Sequence, residues 1–133
     1  MDFKLGVAKI IADGWKFTDV IYTQVVNTLK RQGKICIADI RVISPPFTTD
    51  DYHKILQVPS SFIPKETTSF YVQCIKRGYI DGKIINSIPV SLTGRIDTDG
   101  VITIKNILSS GDLGYSEAIS EVYYIHNVAW EVK

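Results

Sequence analysis

The chain has 133 residues, 45% hydrophobic and 22% charged, the balance of one ordinary globular domain and not of a disordered chain. Fifteen Lys and Arg oppose fourteen Asp and Glu, a net charge of +1, so a general polyphosphate-binding surface is excluded and nucleic acid is not an expected partner. No apolar run reaches the roughly 20 residues of a membrane span. Met1–Gly14 mixes Asp2, Lys4, Lys9 and Asp13 into its apolar residues, unlike a signal peptide.

Residues 1–14 read as a lead-in or neck and residues 15–133 as one domain. Val20–Leu29 and Lys34–Ile43 flank Lys30-Arg31-Gln32-Gly33, a polar break with a glycine that signals a hairpin. Lys54–Val58 is a short strand ending at Pro59. Ser69–Lys76 alternates, with Phe70, Val72 and Cys74 on one face and Tyr71, Gln73, Ile75 and Arg77 on the other. Ser87–Ile96 sets Ile88, Val90, Leu92 and Ile96 against Ser91, Thr93 and Arg95, and Asp97-Thr98-Asp99-Gly100 turns it back into Val101–Ile107. Tyr115–Val122 is expected to hold one helical turn before the last strand, Glu121–Glu131. About seven short strands with Gly and Pro turns and no βαβ alternation predict an all-β antiparallel sandwich, jelly-roll-like.

Two strands carry apolar residues on both faces. In Lys34–Ile43 these are Cys36, Ala38, Ile40 and Val42 against Ile35, Ile37 and Ile43. In Glu121–Glu131 they are Val122, Tyr124, Val128 and Trp130 against Tyr123, Ile125 and Ala129. An antiparallel sheet normally leaves one face polar, so a loop or a neighbouring subunit is expected over the second face.

Motifs for catalysis are missing. There is no Gly-x-Ser-x-Gly, phosphate-binding loop or dinucleotide fingerprint, and the chain reads as a binding protein, not an enzyme. No cofactor or metal is expected: His53 follows Asp50-Asp51-Tyr52 in a polar loop, His126 lies mid-strand as a core or interface residue, and Cys36 and Cys74 sit in apolar runs as small buried hydrophobes. Aromatic residues make 11% of the chain and are the remaining chemical resource. If successive strands run antiparallel, loops Ser44–His53, Arg77–Asn86 and Leu108–Ser120 share one end, and Lys30–Gly33, Pro59–Thr68 and Asp97–Gly100 the other. The first set holds Asp50, Tyr52, Arg77, Tyr79, Asp81, Asp112 and Tyr115, rings and charges suited to a polyol, and is the expected ligand site.

From Trp15 onward the chain resembles the C-terminal head domains of phage tail-fibre and baseplate receptor-binding proteins. The likeness lies in Trp15 after Ala12-Asp13-Gly14 with the hairpin that follows, in Ile55–Pro64 with its Val58-Pro59 and Phe62-Ile63-Pro64, in Ile88–Ile96, and in the Asp97–Ile104 hairpin. It implies a trimeric β-sandwich at the tail tip or baseplate of a virion, made in the host cytoplasm. Such a domain binds host cell-wall saccharide or, alternatively, docks another baseplate protein without binding sugar.

Overall fold

The computed structural model describes residues 3–11, 27–44, 52–105 and 118–133. Nine strands are formed there: β1 Phe3–Gly6, β2 Lys9–Ile10, β3 Asn27–Gln32, β4 Ile35–Ser44, β5 Tyr52–Gln57, β6 Thr68–Ile80, β7 Lys83–Ile96, β8 Val101–Lys105 and β9 Ala118–Glu131. Every pairing is antiparallel, as expected for an all-β domain. All nine strands belong to one sheet, ordered β1-β3-β4-β9-β6-β7-β8-β5-β2, curled into a half-barrel rather than a clear sandwich.

The curl follows from connectivity. Laid flat at about 4.8 Å per strand, the outermost strands would stand about 38 Å apart. Those strands are β1 and β2, and only Val7 and Ala8 join them, a link that reaches about 10 Å. Residues 3–11, expected as a lead-in, therefore pair with both edges, β1 with β3 and β2 with β5. The crossing point is clasped by Asn27, whose side chain accepts from the Ala8 N–H at 3.0 Å and donates to the Ala8 carbonyl at 2.8 Å.

The seven strands expected from the sequence become β3 to β9 with shifted ends. The first hairpin turns at Gly33-Lys34, not Lys30–Gly33, and Gly33 takes φ 62, open to glycine. Residues 20–26 of the expected first strand lie outside the described residues. The expected loop Arg77–Asn86 is instead the far half of the β6–β7 hairpin, closed by Asp81-Gly82 with φ 51 and 73, a two-residue turn of the Asp-Gly kind. Ala118–Val122, expected in a helical turn, is strand. Among the described residues β8 pairs with β7 only along Thr93–Ile96, which leaves an outer edge at Lys83–Leu92 where Pro89 is tolerated.

In β9 a bulge reverses the face assignment. Ala38 faces Val128 but Ile40 faces Ile125, so His126 and Asn127 together oppose Asp39, with Asn127 at φ 51. Tyr123, Ile125 and Trp130 consequently all join the inner core, with Val128 packed against it, beside Cys36, Ala38, Ile40 and Val42. On the outer face Ile43, Val122 and Tyr79 are buried within the single chain, whereas Ile35 and Ile37 are exposed.

Residues 59–64 plug one end of the interior. A 3-10 turn, Ser60–Phe62, presents the buried Phe62 ring to the core; Trp130 donates its indole N–H to the Phe62 carbonyl at 2.7 Å, and Arg31 donates to the Ser61 carbonyl at 2.7 Å. Gly6 closes against this plug: a Cβ there would stand 2.5 Å from Phe62 Cε2. Gly6→Ala is expected to lower stability by about 1–3 kcal/mol in chemical denaturation. Adding Phe62→Leu should recover part of the loss, because the smaller side chain yields space.

Candidate functional site

Strand register assembles a site on the outer face that no single segment contains. Tyr71 of β6 lies opposite Thr93 of β7, Thr93 opposite Lys105 of β8, and Lys105 opposite Tyr52 of β5. Alternate residues of a strand share a face. The neighbouring row on the same face is accordingly Ser69, Arg95, Thr103 and Lys54. At about 4.8 Å per strand the two tyrosines stand about 14 Å apart.

Tyr71 is 82% exposed, the most open of the exposed large apolar side chains among the described residues. The Tyr52 ring is held by cations: Arg95 Cζ lies 4.7 Å and Lys105 Nζ 5.4 Å from its centroid. Arg95 also pairs with Asp97 at 3.4 Å. Thr103, between Arg95 and Lys54, is 2% exposed, and its hydroxyl meets no hydrogen-bond partner among the described residues. Such an orphan beneath a row of rings and cations is unusual in a settled sheet. Together these groups form a strip across four paired strands with one open ring, a second ring braced by cations, and threonine hydroxyls between them.

Of the residues expected to form the ligand site, Tyr52 stands in this strip. Arg77 is half-buried in β6, opposite Ser120. Tyr79 is 4% exposed, with its hydroxyl 2.9 Å from Ser120 Oγ. Asp81 occupies the tip of the β6–β7 hairpin. Tyr79 lies eight residues along β6 from Tyr71, about 26 Å of extended chain, so Tyr52 and Tyr79 do not share a site. Asp50, Asp112 and Tyr115 lie outside the described residues. Sequence reasoning missed Lys54, Tyr71, Thr93, Arg95, Thr103 and Lys105 as site residues. The alternation that places Tyr71, Thr93 and Arg95 on a polar face was the available signal, but register is what aligns them.

The interior holds a second polar group. Cys74 faces Tyr123 and Lys76 faces Glu121 across β6 and β9, all four buried. Glu121 Oε2 accepts from the Tyr123 hydroxyl at 2.8 Å and the Cys74 thiol at 3.7 Å, and stands 3.7 Å from Lys76 Nζ. Burial, and then the Glu121 charge, push the Cys74 thiol up to about 12 and the Tyr123 hydroxyl well above its ordinary range. Burial likewise raises Cys36 to about 12. Both cysteines are free, buried thiols.

His53 lies in β5 rather than a loop, and His126 is on the exposed outer face, with Nδ1 3.1 Å from Asp39 Oδ1. Among the described residues no group of three or more His, Cys, Asp or Glu could hold a metal ion, and no helix is long and apolar enough to cross a membrane. Compared with family models, with curated proteins and with solved structures, the chain finds no match in any of the three.

Lys76→Met is expected to cost about 3 kcal/mol or more by urea denaturation, because it leaves the Glu121 charge buried without its ammonium partner. Adding Glu121→Gln, which can still accept from Tyr123, should restore most of that loss.

Proposed function

We propose that this chain is a binding domain of a phage tail or baseplate appendage, and that it recognises host cell-surface saccharide on the outer face of β6, β7, β8 and β5. The observation that carries the saccharide reading is Tyr71, 82% exposed on a rigid strand in register with Thr93, Lys105 and Tyr52. An open ring covers the apolar C–H face of a sugar, while neighbouring hydroxyls and cations fix its oxygens. The phage assignment, with action at the tail tip of the virion, rests on the resemblance of Ile55–Pro64 and Ile88–Ile104 to receptor-binding heads. Tyr71→Ala and Tyr52→Ala should each weaken retention on host cell walls roughly tenfold, and Tyr71→Ala should leave the thermal midpoint unchanged. Undiminished retention in the double variant places binding elsewhere.

A second reading, a docking domain for neighbouring appendage proteins or for copies of itself in a homotrimer, is favoured by a different surface. Phe3 and Leu5 on β1 and Ile35 and Ile37 on β4 are 58%, 66%, 49% and 42% exposed, in rows bridged by Gln32 and Lys30 of β3. Apolar surface of this kind marks association. Because Ile37 is exposed in the single chain, Ile37→Glu should shift the light-scattering mass from trimer to monomer without changing the denaturation midpoint. A monomer in the unaltered chain at micromolar concentration counts against this reading.

A further inference from the structure

We propose that the saccharide bound at the β6–β7–β8–β5 face is an anionic one, a polymer carrying carboxylate, sulfate or phosphate groups. The inference rests on the saccharide reading and adds the sign of the ligand's charge. The two rows of the face hold three cations, Lys54, Arg95 and Lys105, and no carboxylate. Among the described residues Asp97 is the one acid tied to them, and it engages Arg95 at 3.4 Å. Among the described residues neither Lys54 nor Lys105 pairs with a carboxylate; Lys105 rests 5.4 Å from the Tyr52 ring instead. The chain as a whole carries only +1, so this local excess is a property of the face and not of the composition. Lys54 and Lys105 flank Tyr52 on the same strip as the buried, unpartnered hydroxyl of Thr103. A sugar ring on Tyr71 and an acidic group reaching toward Tyr52 would therefore meet two ammonium groups, Lys54 and Lys105, that no carboxylate among the described residues neutralises.

The test compares matched pairs on the intact chain: polygalacturonate with its methyl ester, and dextran sulfate with dextran, by calorimetric titration at low salt. At least one acidic member should bind about tenfold tighter than its neutral partner. Lys54→Gln with Lys105→Gln should weaken binding of the acidic member more than that of its neutral partner, so that the preference is lost. Equal binding of acidic and neutral members overturns the anionic assignment and leaves the saccharide reading standing. Binding of polyglutamate as tight as that of the acidic glycans, unaffected by Tyr71→Ala, means charge alone is recognised and overturns both. Binding of none of the four polymers also overturns both.

Discussion

The structure depends on one constraint: a single N-terminal segment must pair with both edges of the sheet. β1 continues β3's edge and β2 continues β5's, with two residues between them. Nothing but a curled sheet can satisfy that, since the backbone cannot stretch further. Once the edges are brought together, the inward side chains of β4, β6, β7, β8 and β9 face one another across a common interior and form one core. The Asn27 clasp matters because the crossing at Val7-Ala8 leaves the Ala8 backbone without a strand partner, and a buried amide lacking one costs stability.

The interior is apolar at the plugged end and polar further along β6 and β9. Phe62, Trp130 and Leu29 are buried near the plug, whereas Cys74, Lys76, Glu121 and Tyr123 gather in adjacent rows of the β6–β9 ladder. Burying a charged pair contributes little net stability compared with apolar packing. Its consequence is geometric. The carboxylate has one arrangement in which the ammonium, phenol and thiol all reach it, so the register of β6 against β9 is tied to that chemistry. The outer strip is aligned by other ladders of the same sheet, β6 against β7, β7 against β8 and β8 against β5.

The outer face differs in character along the same sheet. On β1 and β4 it exposes Phe3, Leu5, Ile35 and Ile37, with Gln32 and Lys30 of β3 between them; along β6, β7, β8 and β5 it carries rings, hydroxyls and cations. Both surfaces sit on paired strands, so a ligand or partner meets side chains already held in place and little ordering has to accompany binding.

Local pattern made much of this legible. Seven strands, the Asp97–Gly100 turn and the burial of Cys36 and Cys74 were readable because alternation and turn chemistry act over a few residues. Their limits show where local signals conflict. Gly78, between Arg77 and Tyr79, looked like a loop, yet sits at an irregularity inside a long hairpin. The bulge at Asn127 inverted a face that strict alternation would have kept. What the sequence alone determined is an antiparallel all-β chain with apolar residues on both sides of two strands. Tertiary structure decided the rest: that one sheet curls instead of two stacking, that Tyr79 is buried and Tyr71 open, and that Tyr52, Lys105, Thr93 and Tyr71 stand in one row. Those are outcomes of pairing between distant segments, and a pairing register is written in no single stretch of the chain.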